Sequence, residues 1–249
     1  MRTLKKKPPK QTMRPTATAN ETQTAPAPIE VRVAMKAKFD QQKSSVDLRE
    51  KAQQMLSDPL IWLQKYTETK DSHWREAGAS SPYRPFPDKP YFRPLMEVFQ
   101  AEPILFIEKS RDMMLSWLCV GLFTHVAITT PGIEVLFQSQ KEEKAFELVD
   151  YAKILYDRSD EAIRKAHPLK SRIQAAGRLE FAHGSRIIGI PGGGDQIRSY
   201  HPWGLFQDEA AFMPEAGQCY DHAVPVCKKI VVLSSAGPGW FADYVNDCL

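Results

Sequence analysis

An α/β fold with a mostly parallel sheet covered by helices is predicted by three features of this 249-residue chain. Short apolar runs alternate with helical patterns from Ile104 onward, in the manner of βαβ units. A pair of adjacent carboxylates, Asp208 and Glu209, directly follows one of those runs, where ligands of parallel sheets bind. Hydrophobic residues make up 43% of the chain, which supplies a core for one large domain or two small ones.

Met1 to about Pro28 is rich in Lys, Pro, Thr and Ala and nearly free of large apolar residues, so it cannot bury enough surface to offset chain entropy. The division drawn from sequence is a disordered basic tail over 1–45, a helical subregion over 46–81 and the main domain over 82–249. From Val46 to about Thr69, Leu48, Ala52, Met55, Leu56, Leu60, Ile61 and Leu63 recur at helical spacing, with Asp58-Pro59 as a break. Two short helices are expected there. Five prolines between Pro82 and Pro94 argue for an extended lead into the main domain.

Ile104 to Ile107 reads as a buried strand, Met113 to about Ile128 as an apolar helix, and Ile133 to Phe137 as a second strand introduced by Gly132. Lys141 to about Tyr156 places Ala145, Leu148, Val149, Ala152 and Leu155 on one helical face. Arg178 to Phe181 and Arg186 to Ile190 resemble two short strands turning at His183-Gly184. Gly204 to Gln207 and Ile230 to Leu233 complete the set of buried strands.

The longest apolar stretch, Leu115 to Ile128, is interrupted by Ser116, Thr124 and His125 and falls short of the roughly 20 residues of a membrane helix. No apolar run follows the N-terminal lysines, so no secretory signal is read, and a cytoplasmic location without membrane contact is expected. The chain has net charge +3, but its first 40 residues hold 9 Lys/Arg against 3 Asp/Glu, leaving 24 basic and 27 acidic residues elsewhere. Attraction to nucleic-acid phosphates therefore has to come from local patches or from tail lysines such as Lys5, Lys6, Lys7 and Lys10. For that cluster a solvated tail is the favoured reading. Cys119, Cys219, Cys227 and Cys248 form no C-x-x-C pair and read as reduced thiols. Cys219, His222 and Cys227 lack the fourth ligand of a structural zinc site.

Asp208 and Glu209 carry the clearest chemistry. At a strand's carboxyl end, one carboxylate can hold Mg²⁺ and the next can orient or deprotonate an attacking water; Asp208 takes the first role and Glu209 the second. A phosphate site also needs backbone N–H groups at a helix N-terminus, a cation and a hydroxyl. Lys109, Ser110, Arg111, Asp112, Met113, Met114, Leu115 and Ser116 follow the first strand and open the first helix. Ser116 supplies the hydroxyl, and Lys109 or Arg111 the charge.

The segment Lys109 to Ser116 resembles the phosphate loop of viral large terminases, many of which place their basic residue at the loop's start in patterns such as K-[SA]-R-x-x-G-x-S. Ser139-Gln140 before a charged helix, the run Phe181 to Ile187, the glycine-rich stretch with Arg198 and the pair Asp208-Glu209 follow in the order of that family. Leu233 to Gly239 then resembles the terminase coupling motif, with Ser234, Ser235 and Ala236 at its centre. The resemblance implies a P-loop NTPase-like sheet of the RecA/ASCE type, ATP and Mg²⁺ as cofactors, and ATP hydrolysis that drives double-stranded DNA into a procapsid. The implied partners are DNA, a portal protein, a small terminase subunit and further copies of the chain in a ring.

The sequence departs from the family pattern at Met114, where Gly is usual, at Leu115, where the usual lysine is absent, and at Ala236, where a third hydroxyl is frequent. These departures define the alternative: a structural fragment of the same fold with weak or no turnover. Arg111 or Arg198 is a candidate arginine finger, and Tyr91 and Phe92 are candidates for adenine stacking. Pro191 to Gly194 reads as a mobile loop facing DNA or a neighbouring subunit. The chain stops before the family's nuclease domain would begin, so no nuclease activity is expected of it.

Overall fold

The computed structural model describes residues 29–71, 73–76, 78–171 and 174–247. The expectations for the tail before Ile29, with its lysine cluster, and for Cys248 lie outside those residues. The chain divides into two units at Lys43–Ser44, and the sheet lies wholly in the second.

Helix α1 runs from Ile29 to Met55, so residues 29–45, expected in the tail, are helical. The helical signal was legible only from Val46 because the described side chains before it are exposed: Val33 is 63% exposed and Phe39 68%. Helix α2 spans Pro59–Tyr66 and starts where Asp58 accepts the N–H groups of Leu60 and Ile61, with Pro59 in the first turn. Strands β1 (Glu68–Lys70) and β2 (Tyr83–Pro85) pair antiparallel, and helix α3 (Phe92–Ala101) follows. The proline-rich lead is thus extended only in part. Pro94 sits in the first turn of α3, where its missing N–H costs no helical bond.

Then come β3 (Ile104–Lys109), α4 (Leu115–Thr129), β4 (Glu134–Gln138), α5 (Glu142–Asp157) and α6 (Glu161–Ala166). The chain continues through β5 (Arg178–Glu180), β6 (Arg186–Ile190), β7 (Gly204–Asp208), α7 (Ala216–Ala223), β8 (Lys229–Ser235) and α8 (Trp240–Asp247). The six strands from β3 onward form one sheet in the order β3-β8-β7-β4-β6-β5, parallel except for β5.

Strand alternation divides the interior between the two faces of this sheet. Leu105, Val135, Phe137, Ile187, Phe206, Val231 and Leu233 pack with α2 to α5. Leu136, Ile188, Ile190, Leu205, Ile230 and Val232 pack on the other side with α7 and Phe241 of α8. Both faces are covered, which is why the strands read as continuous apolar runs. Buried Lys229 donates to the carbonyls of Phe99 and Glu102, closing the C-terminus of α3 and fixing it to the start of β8. No described helix is long and apolar enough to cross a membrane.

Candidate active site

The sheet order makes the crevice. From β3 the chain crosses to β4, and β8 and β7 later fill the places between them, so the carboxyl ends of all four strands stand side by side. Lys109, closing β3, is in register with Ser235 of β8; Asp208, closing β7, is in register with Leu233 of β8.

Two pairs bridge this crevice. Ser116 Oγ, in the first turn of α4, donates to Asp208 at 3.1 Å. Lys109 Nζ donates to Glu209 Oε1 at 2.7 Å. Glu209 Oε2 also accepts from the Ser235 hydroxyl at 2.9 Å and lies 3.4 Å from the Ser235 N–H. The neighbouring Ser234 Oγ accepts the Ala211 N–H at 3.1 Å, fixing the turn that carries Glu209. The two hydroxyls of the coupling-like segment therefore touch the carboxylate and its turn. Ala236 instead lines an apolar groove with Pro238 and Phe241.

The two acids titrate in opposite directions. Asp208 is 8% exposed, and burial pushes its carboxyl up to about 6 against the pull of Lys109 and the Ser116 hydrogen bond. Burial also acts to raise Glu209, but the hydrogen bond and charge of Lys109, with help from Ser235, outweigh it and hold Glu209 below the ordinary carboxylate range. Glu209 is thus an anion at neutral pH, set on a left-handed backbone with φ 58°. Such a conformation in a non-glycine residue concentrates at functional turns.

The loop from Ser110 to Met114 turns twice through the left-handed region, at Asp112 (φ 63°) and Met114 (φ 58°), before α4 begins. Gly adopts this conformation freely and Met does not, so the departure at Met114 concerns the backbone as well as the bulk of its side chain. Leu115 is buried in the core and offers a phosphate only its backbone N–H. No side chain caps α4, leaving its first N–H groups free toward a cavity of about 510 Å³ lined by Lys109, Ser110, Asp112, Met113, Met114 and Ser116. Lys70, His73, Arg84 and Lys89 line the same cavity, and no sequence pattern had marked them because β1 and β2 are only three residues each.

Two smaller cavities adjoin the carboxylates. One, of about 230 Å³, lies among Ser116, Gln140, Lys144, Tyr151, Asp208 and Glu209. The other, of about 280 Å³, lies among Arg111, Gln140, Glu209, Phe212 and Ser235. Arg111 lines the second of these. Gln140 lines both cavities, a place that its position after the second predicted strand had only hinted at.

Two expectations require correction. Phe92 is fully buried against Phe86, so its faces are closed to adenine. Tyr91 packs edge-on to Phe92 and donates its hydroxyl to the Met113 carbonyl at 3.0 Å, which makes it a support for the loop. Arg198, the other candidate finger, lines none of the three cavities of its own chain and bonds His222 and Asp195 beside the glycine-rich stretch, which leaves a role across a ring as a proposal. Aromatic and basic character was legible in each case, but burial and direction were not.

The fold has a counterpart among solved structures. The crystal structure of the HK97 bacteriophage large terminase matches with a TM-score of 0.59 at 8% identity, covering 78% of this chain and 41% of that one. The chain shares its fold with a phage large terminase. It spans about two fifths of the HK97 protein's length. Below a TM-score of 0.5 lie the large terminase of a thermophilic bacteriophage in complex with ADP (0.44, 16% identity, 65% of this chain and 43% of that one) and the Thermus phage P74-26 large terminase ATPase domain (0.39, 12%, 71% and 74%). No family model and no curated protein matches the chain. The mostly parallel, helix-covered sheet expected from the sequence is the fold that the chain shares with the HK97 protein.

Proposed function

We propose that this chain is the ATP-hydrolysing region of a viral DNA-packaging motor, working in the manner of a large terminase subunit. The observation that carries the reading is the paired bridge across the strand ends, Ser116 with Asp208 and Lys109 with Glu209, set against an uncapped helix N-terminus. These residues suit a nucleotide and a divalent cation. Asp208 is a buried carboxyl that accepts a side-chain hydrogen bond from Ser116, and a cation beside it would offset the burial that raises it.

In this reading Ser116 and Asp208 hold Mg²⁺, while the first N–H groups of α4 and Lys109 hold the phosphates. When bound, ATP–Mg²⁺ supplies the phosphoanhydride to be cleaved and the cation that draws charge from it. Glu209 orients the attacking water and accepts its proton at the carboxylate, for which its anionic state at neutral pH prepares it. Arg111 faces the charge that develops. Ser235 ties Glu209 to β8, a direct route from hydrolysis to the segment that follows. Double-stranded DNA, a portal, a small terminase subunit and further copies in a ring are the partners this function requires, in the cytoplasm of an infected cell. A second reading, a weakly active or inactive member of the same fold, is favoured by the left-handed Met114.

Mg²⁺-dependent ATP hydrolysis, with thermal stabilisation recorded alongside, separates the two. Glu209→Ala is expected to lower turnover by about a hundredfold or more. It should keep, or strengthen, ATP-induced stabilisation, because Lys109 is released from its ion pair. Lys109→Ala is expected to lose most of the stabilisation, worth about 2.7 kcal/mol at a hundredfold excess of ATP over Kd. A wild-type chain that is stabilised but never turns over favours the second reading. One whose melting ignores ATP–Mg²⁺ overturns nucleotide binding itself.

A further inference from the structure

The glycine-rich stretch Pro191 to Asp195 has no part in the chemistry above, yet it is tied to the site by a buried polar path. Gln138 ends β4 and Gln207 precedes Asp208 on β7; the two are register partners in the sheet. Both are almost wholly buried, at 1% and 0% exposure. Gln207 Nε2 donates to Gln138 Oε1 at 2.8 Å and to the Ala216 carbonyl at 3.1 Å. Gln138 Nε2 in turn donates to the carbonyls of Pro191 at 3.0 Å and Gly193 at 3.2 Å.

Two further observations make this more than a static clamp. Gln207 Oε1 is buried with no hydrogen-bond partner among the described residues, an arrangement folded proteins seldom keep without a reason. An amide oxygen left unpaired in a low-dielectric interior is costly, so a shift of β7 that brought it a partner would be favoured. The stretch also rests directly on the site: a Cβ at Gly192 would lie 3.0 Å from the Ser139 carbonyl and 3.1 Å from that of Gln140, the residue lining both carboxylate cavities. Beyond it, Gly194 is bound through its N–H by Glu215 and through its carbonyl by His222, so the path continues to α7.

We propose that the Gln138–Gln207 amide pair is a relay between the nucleotide cavities and the Pro191–Asp195 stretch, with Gln138 a positioning residue for Gln140 and Glu209. A change at Asp208 and Glu209 moves the end of β7, and Gln207 passes it to Gln138 and on to the carbonyls of Pro191 and Gly193. The exposed Gly192 and Asp195 deliver it at the surface. Because it serves the same site, the relay requires that the chain bind nucleotide as proposed above.

Backbone hydrogen exchange over residues 191–199, with and without adenylyl imidodiphosphate and Mg²⁺, tests it in the wild-type chain and in Gln138→Met. Melting and steady-state hydrolysis are measured on the same samples. In the wild type the nucleotide is expected to change protection of this stretch by about fivefold or more, the usual lower range of coupling between sites. In Gln138→Met the analogue should still raise the melting temperature, the protection change should fall below about twofold, and kcat should drop about tenfold with KM nearly kept. A Gln138→Met stretch that answers nucleotide as the wild type does overturns the relay and leaves the nucleotide site standing. So does a wild-type stretch indifferent to an analogue that stabilises the chain. If the analogue stabilises nothing, nucleotide binding fails and the relay with it. Should Gln138→Met not fold, Gly192→Ala keeps both glutamines and presses a methyl on Ser139 and Gln140; it must shift protection and lower kcat, and unchanged turnover overturns the relay.

Discussion

Met114 sets two opposed effects against each other. Its left-handed backbone costs about 1–2 kcal/mol in a residue with a Cβ, while its partly buried side chain recovers a comparable amount against the core. Met114→Gly is therefore expected to leave the melting temperature within about 3 °C, since 1 kcal/mol moves a chain of this size by about 2–4 °C. It should also open the loop to phosphate and lower KM for ATP several-fold, which steady-state kinetics would read. Asp208 gives a pH prediction. Between about pH 4 and pH 6 the folded chain keeps a proton that the unfolded chain has released, so raising pH through that window destabilises the fold, with the full cost present above about 6. Asp208→Asn should flatten that part of the profile and raise the melting temperature at pH 7 in the absence of Mg²⁺, while abolishing turnover. Thermal melts from pH 4 to pH 8 check the sign. Asp208, Glu209, Lys109 and Ser116 were legible as residues at strand and helix ends. That Lys109 would meet Glu209, 100 positions away, was not legible, because the meeting depends on how β8 and β7 fill the sheet.

At the scale of elements, the sheet was legible and much of its cover was not. Buried strands announce themselves by β-branched and aromatic runs, and β3, β4, β6, β7 and β8 fall within two residues of the expected spans. Helix α3 was hidden by the prolines around its start. Helix α7 carries its apolar face on Ala216, Cys219, Tyr220 and Ala223, small or half-polar residues that leave a faint pattern. Helix α8 gains its definition from tertiary contacts: Tyr244 stacks on Phe106 at 4.0 Å and its hydroxyl meets that of Tyr220 at 3.0 Å. Close approach between elements gives a further prediction. A Cβ at Gly189 in β6 would lie 2.9 Å from the Ala145 carbonyl oxygen of α5, a backbone atom that cannot swing aside. Gly189→Ala is expected to cost about 1–3 kcal/mol through overpacking, seen as a lower urea midpoint with an unchanged slope.

Over the whole molecule, the sheet ends in two unlike edges. On one side β5 closes it antiparallel with three residues. On the other, β3 pairs only with β8 among the described residues and exposes Ile104. An open parallel edge with an apolar residue is a site for association between chains. Light scattering against concentration should show the wild type associating and Ile104→Lys suppressing it, with melting temperature nearly unchanged. The place of β8 has a different consequence, one of timing. It is the last of the six strands in chain order, yet it lies between β3 and β7 and is the sole sheet neighbour of β3 among the described residues. Until Lys229–Ser235 has been synthesised and docked, the strand bearing Lys109 has no seat and the one bearing Glu209 has a bare flank. The crevice at the strand ends is thus assembled only once this late strand has docked, and a growing chain carries Lys109, Ser116, Asp208 and Glu209 well before they can meet.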